Sequence, residues 1–192
     1  MFSILSGALG LAITPDGTSL IIADAVNHVL RVMHTTTRAV RTLAGVANEF
    51  GYSNGLALSS TFNRPVDISL NTNGTLLVVA DSWNHVIRGV TLRKGAQVGW
   101  EAVEAVKVST LAGIEASPGL QDGSSFTAKL HSPAGLVLLD EHTFVRRTTH
   151  AAGSVVVISD TKNGILRMLN VDTGIVSTVA REGTNFRKSV QW

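Results

Sequence analysis

The sequence predicts an all-β fold of three four-stranded antiparallel blades, and three observations predict it. The first is an internal repeat, the feature to read before any other. LIIADAVNHVLR (residues 20–31), LLVVADSWNHVIR (76–88) and VVVISDTKNGILR (155–167) are copies of one string. In it Asp24, Asp81 and Asp160 are equivalent, as are Asn27, Asn84 and Asn163, and Arg31, Arg88 and Arg167. The second is spacing, for a glycine (Gly17, Gly74, Gly153) stands seven residues before each of these aspartates. The third is that the apolar runs LIIA, LLVVA and VVVIS do not alternate with polar residues, as expected of strands covered on both faces. A unit of that kind buries its faces against copies of itself, which is how radially stacked blades behave.

Taken in order, each copy reads as four short strands joined by tight turns. Gly10, Asp67 and Gly135 open the first strands, in GLAIT, DISLN and GLVLL. Gly17 and Gly74 lie in PDG and TNG, turn signals that need a left-handed glycine. The repeated string then supplies strand b, a b–c turn and strand c, and RTLAG, STLAG or STVAR supplies strand d. In the second copy the strands are expected at about 66–71, 75–81, 85–91 and 106–112. Blade 1 covers about 8–46, blade 2 about 65–114 and blade 3 about 133–181, in one domain over 1–192 with a tail at 182–192. Two insertions interrupt the register, Arg93–Ala105 between strands c and d of blade 2 and Asp140–Ala152 between strands a and b of blade 3. Strand alternation puts both at one end of the blades, opposite the Asp-x-x-Asn turns.

The connections between blades repeat as well. Asn54-Gly55 follows Gly45 by nine residues, with Ser60, Phe62 and Pro65 at offsets of six, eight and eleven from Asn54. Asp122-Gly123 follows Gly113 by nine, with Ala128, Leu130 and Pro133 at the same offsets. This pattern predicts a turn, then an apolar anchor (Phe62 or Leu130) buried between blades, then a proline that sets entry to the next strand a.

Together these residues resemble the NHL-repeat family of β-propellers, whose pattern runs P-x-G, D-G, D-x-x-N-x-x-I-R and T-L-A-G, with a linker of DG, Ala, Phe and Pro. The resemblance covers about residues 8–181. It departs at Ala8 for Pro, Asp67 for Gly, Gly164 for the His of Asn-His, and Arg181 for the Gly of LAG. It implies a propeller, and three blades do not close a ring of four to eight. The register begins at a strand a with no linker ahead of it and stops after a strand d. The expected array is therefore incomplete, its remaining blades coming from a longer chain or a second copy.

Composition excludes little else. Hydrophobic residues make up 44%, charged residues 16% and the net charge is +2, values of an ordinary folded chain. No cysteine is present, which excludes disulfides and thiolate metal sites. The apolar stretch Phe2–Ile13 lacks the basic flank of a signal peptide and is too short to span a bilayer. No compartment follows from that.

For chemistry, the repeated Asp, Asn and Arg read as structural: the short polar side chains can bond the b–c turn's own backbone, and the Arg can pair with an Asp or a carbonyl. No catalytic residue, cofactor site or metal site is predicted. Six histidines occur, and only His28 and His85 share a register. The strands a expected along the axis (9–13, 66–70, 134–138) carry Asp67 as their one ionisable residue, too few groups for the convergent ligands of an axial metal. Scattered basic residues and 5% aromatics argue against nucleic acid. The expected role is a non-catalytic scaffold that binds a protein partner through one loop face. The candidate contacts there are Arg93, Lys94, Trp100, Phe144, Arg146 and Arg147, on the two insertions. The alternatives are a metal-dependent propeller hydrolase or lyase, and an RNA-binding propeller.

Overall fold

The apolar strands b sit in the middle of their blades, because neighbours cover both of their faces. A computed structural model describes residues 5–94, 103–140 and 153–181. Blade 1 is the antiparallel sheet of β1 (Ala8–Ile13), β2 (Ser19–Asp24), β3 (Val29–His34) and β4 (Val40–Ala44), in that order. Blade 2 holds β6 (Pro65–Leu70), β7 (Leu76–Asp81), β8 (Val86–Lys94) and β9 (Val103–Ala112). Blade 3 holds β11 (Pro133–Leu139), β12 (Val155–Asp160), β13 (Ile165–Asn170) and β14 (Ile175–Arg181). Each four-strand meander follows the sequence expectation, with boundaries shifted by a residue or so except in the β8–β9 hairpin, where each strand runs three residues further.

Two differences stand out. The linkers are not loops alone: β5 (Gly55–Leu56) adds antiparallel to the outer strand β9, and β10 (Gly123–Ser124) to β14. Blades 2 and 3 are thus five-stranded, each edged by the linker that leads into it. The first insertion is not a loop at its base either. Strands β8 and β9 stay paired through Leu92↔Ala105, Arg93↔Glu104 and Lys94↔Val103, so the hairpin runs longer than in its neighbours. The physical reason is burial: Leu92 and Val103 join the apolar core shared with blade 1, and Arg41 donates to the Val103 carbonyl.

The core lies between sheets. Leu77 and Val79 project toward blade 1, where they meet Ile21, Ala23, Leu30 and Val32. Val78 and Ala80 project the other way, onto Leu136, Leu138, Val156 and Ile158 of blade 3. All four are fully buried, which explains the unalternating LLVVA. Phe62 belongs to the first cluster and Leu130 to the second, both at 0% exposure, as the linker pattern predicts. Gly17 and Gly74 have the expected left-handed backbone, with φ of 70° and 75°. Gly10 answers to close approach instead: a Cβ there would come within 2.6 Å of the Asp67 Cα on β6. On the outer face of blade 1, Leu9, Leu11 and Ile13 are 56–58% exposed.

Candidate functional site

The b–c turns and the linkers meet at one end of the blades, and the repeated polar residues form a joint there. Strand b delivers its aspartate at its last residue, the turn places asparagine three residues on, and strand c brings arginine back beside the aspartate. In blade 2, Arg88 Nη1 donates to Asp81 Oδ2 at 2.8 Å and Asn84 Nδ2 donates to the same oxygen at 2.8 Å. In blade 3, Arg167 and Asn163 make the same pair of bonds to Asp160 Oδ2 at 2.9 and 2.8 Å. In blade 1, Asn27 donates to Asp24 Oδ2 at 2.8 Å and Arg31 donates through Nε at 3.1 Å.

What the joint grips is the incoming linker, not the turn's own backbone, which corrects the expectation for Asp and Asn. The free carboxylate oxygen accepts a linker amide, Asn63 N–H for Asp81 and His131 N–H for Asp160, both at 2.7 Å. The asparagines also donate to linker carbonyls, Asn84 to Gly51 at 2.7 Å and Asn163 to Gly119 at 2.8 Å. Arg88 reaches the carbonyls of Thr61 and Ser53 at 3.1 and 2.9 Å and Asn54 Oδ1 at 2.8 Å. Arg167 reaches those of Lys129 and Gln121 at 3.0 and 2.7 Å and Asp122 Oδ1 at 2.8 Å. A guanidinium suits this work because its donors form a rigid fork that is always charged. Tyr52 and Phe62 add aromatic faces 4.9 and 5.3 Å from the Arg88 guanidinium.

The electrostatics are those of a buried pair. Asp81, Arg88, Asp160 and Arg167 side chains are wholly buried. Burial pushes the Asp81 carboxyl up to about 6, against the pull of Arg88, the Asn63 amide and Asn84. The attraction of Arg88 thus offsets only part of what burying the carboxylate costs. Asp122 is the reverse case: burial would raise its carboxyl, but the Thr178 amide and hydroxyl and Arg167 outweigh it and hold the pKa low.

A second joint runs from each blade to the next. His28 and His85 sit at the b–c turns in left-handed backbone, with φ of 59° and 61°. Their Nδ1 atoms accept the amides of Arg64 and Ser132, at 3.0 and 3.1 Å, just before Pro65 and Pro133 of the following blade. Gly164 holds the same position with φ of 65°, the conformation that glycine reaches most cheaply. Burial, and then the Arg64 charge, lowers the His28 pKa; burial, then His131 5.4 Å away, lowers that of His85 against Asp160. Folded values below 6.5 mean that this stability is fully present above pH 6.5 and is lost as pH falls through the depressed folded values. Between pH 7.5 and 5.5 the raised Asp81 carboxyl acts in the opposite sense, because its protonation there favours the folded state. The histidine share is therefore read against the double variant His28→Asn, His85→Asn, which keeps an acceptor and tolerates left-handed backbone. In chemical denaturation the parent's midpoint should fall relative to the variant's on going from pH 7.5 to 5.5. Equal slopes in variant and parent would remove the histidines from the explanation.

The predicted loop contacts fare differently. Arg93 is on β8, exposed, with Nη2 2.6 Å from Glu104 Oε2. Lys94 is the last residue of that strand. Trp100, Phe144, Arg146 and Arg147 lie outside the described residues. The root of the second insertion is firm, for Asp140 Oδ2 accepts both the amide and the hydroxyl of Thr72 at 2.7 and 2.6 Å. Asp67 turns toward backbone, accepting the Leu136 amide at 2.8 Å. Among the described residues, no three His, Cys, Asp or Glu side chains are grouped to hold a metal ion.

A cluster not anticipated from the sequence lies at the joint end. Arg64 stacks over Trp83 at 4.8 Å, and Phe50, 69% exposed, leans on His28 with ring centroids 5.9 Å apart. Its signal was the second variable position of Asp-x-x-Asn. Val26, Trp83 and Lys162 stand there, and all three are exposed.

Comparison with known proteins agrees with this architecture. No family model matches the chain. Over 88 residues, 46% of this chain, it is 35% identical to NHL repeat-containing protein 2 of Bos taurus and covers 12% of that protein's length. It is 32% identical over 92 residues to the chloroplastic protein SUPPRESSOR OF QUENCHING 1 of Arabidopsis thaliana, of which it covers 8%. Among solved structures, an auxiliary nutrient binding protein from Bacteroides ovatus superposes with a TM-score of 0.66 at 16% identity, over 91% of this chain and 36% of that one. The Dos1 propeller superposes with a TM-score of 0.50 at 13% identity, over 90% and 35%. The repeats are similar to those of NHL repeat-containing protein 2 and the fold is that of β-propeller blades, with the three sheets of the described residues not closed into a ring.

Proposed function

We propose that this array of NHL-type blades is a non-catalytic scaffold that binds a protein partner through the end bearing its two insertions. One observation carries the reading: both insertions spring from rigid, buried roots at the same end. Leu92 and Val103 anchor the first in the core, and Asp140 ties the second to Thr72 of blade 2. Loops positioned by a rigid scaffold are where repeat folds concentrate recognition. The repeated ionisable residues of blades 2 and 3 support it from the other side, since they are occupied in gripping the linkers. Replacing 95–102 with an Asn-Gly turn and shortening 141–152 should abolish capture of a cross-linked partner while leaving the melting temperature nearly unchanged. Undiminished capture would sink the proposal, as would loss on Trp83→Ala instead.

A second reading, contact with single-stranded RNA, is favoured by the Arg64–Trp83 stack beside exposed Phe50 at the joint end. Binding of a mixed RNA pool that weakens with salt and with Trp83→Ala would support it. Salt-independent binding, or none, would dismiss it.

A further inference from the structure

Blade 1 carries the same linker-gripping parts as blades 2 and 3. The last residues of a linker are matched there by Leu5–Gly7. Ser6 N–H donates to Asp24 Oδ1 at 2.8 Å, as Asn63 and His131 donate to Asp81 and Asp160. Val26 N–H donates to the Ser6 carbonyl, as Trp83 does to Asn63 and Lys162 to His131. Gly7, Arg64 and Ser132, the residues just before each strand a, share a left-handed φ of 67°, 56° and 50°. Leu5 takes the anchor's place, at 38% exposure against 0% for Phe62 and Leu130. The expectation of no linker ahead of the first strand a is corrected accordingly.

The remaining parts of the joint are present and differently engaged. In blades 2 and 3 the arginine fork holds the carbonyl before Asn54 or Asp122 and that residue's side chain, and the next two linker residues pair with the outer strand. In blade 1, Thr42 stands opposite Arg31 as Thr110 stands opposite Arg88 and Thr178 opposite Arg167. Arg31 turns Nε to Asp24 and Nη1 to Thr42 Oγ1, at 3.1 and 2.5 Å. Strand β4 is the outer edge, with no strand beyond it among the described residues. In blade 3 the amide and hydroxyl of Thr178 donate to Asp122 at 3.1 and 2.9 Å, and the register gives the Thr42 amide the same outward direction.

We propose that the β4 edge and the Arg31 fork form a docking site for an extended peptide segment of linker chemistry: an Asp-Gly pair that pairs its next residues with β4 and sets its carboxylate between Arg31 and Thr42. Main-chain pairing to a sheet edge supplies the affinity, and the carboxylate on a fixed fork supplies the register. Asparagine fills this position in blade 2, but besides Arg88 Asn54 meets only the Thr110 hydroxyl, whereas Asp122 accepts both the amide and the hydroxyl of Thr178 besides Arg167, so aspartate is the stronger ligand. The site is separate from the insertion end, so it stands or falls independently of the partner proposed there.

The probe is a labelled synthetic peptide of the chain's own residues 114–128, IEASPGLQDGSSFTA, which stops short of the anchor position that Leu5 fills. Fluorescence anisotropy with the full chain should show saturable binding. Changing the peptide's aspartate to alanine should weaken it by about tenfold or more, the loss of a charge-assisted hydrogen bond. Arg31→Gln should weaken it similarly, and Lys107→Gln, at an exposed site on β9, should leave it unchanged. Should Arg31→Gln fail to fold, the aspartate variant and a scrambled peptide test the same point on the native protein. No saturation up to about 1 mM, the effective concentration that a short tether supplies, would overturn the proposal. So would binding indifferent to the aspartate.

Discussion

Asp81→Ala should cost about 3–5 kcal/mol, because it leaves the Arg88 guanidinium buried without a counter-charge. The same change removes the acceptor of the half-buried Asn63 amide and of the buried Asn84, so two further donors lose a partner. A loss of that size takes a large fraction of the stability of an ordinary domain. The double variant Asp81→Leu, Arg88→Met should recover part of it, since no buried charge then remains. Recovery should stay incomplete, for the Ser53 and Thr61 carbonyls still lose their donor. Asp24→Ala should cost less than Asp81→Ala, because Arg31 is 9% exposed and grips no linker carbonyl among the described residues. Urea denaturation of the three variants checks the order. A cost under about 1 kcal/mol for Asp81→Ala would show that the joint does not hold the blades.

Phe62→Ala should cost about 3–5 kcal/mol as well, by a different route. Phe62 fills the seam between blades 1 and 2 at 0% exposure, and its ring also lies 5.3 Å from the Arg88 guanidinium. Truncation leaves a cavity lined by residues on two rigid sheets, which cannot close over it without parting the hairpins. Phe62→Leu, which copies Leu130 of the next linker, should cost much less. An unfolding free energy for Phe62→Ala within about 1 kcal/mol of the parent would place the anchor elsewhere.

Most of the architecture was legible in the chain. Gly, Asp, Asn and Arg recur at constant spacing because each strand, turn and return has a constant length, and a residue needed by every blade must recur with it. The linker pattern was legible for the same reason, and it located Phe62 and Leu130 correctly. The departure at Gly164 is also local: the position requires a left-handed backbone, which glycine adopts freely and histidine occupies while bonding the next blade.

Tertiary structure alone decided what those residues touch. A repeat shows that Asp81 and Arg88 matter to each blade, but not that their partners are linker atoms 18 to 35 residues away. That distance is set by how the linker folds back over the blade edge, which no local spacing records. The fifth strands were hidden because Gly55–Leu56 and Gly123–Ser124 pair through backbone atoms, leaving no side-chain pattern to read. Trp83 and Arg64 come together only when a linker is laid against the turn of the next blade. Periodicity along the chain therefore determined the blades, while the contacts between blades were decided by packing, which depends on which surfaces meet and not on the order in which they are written.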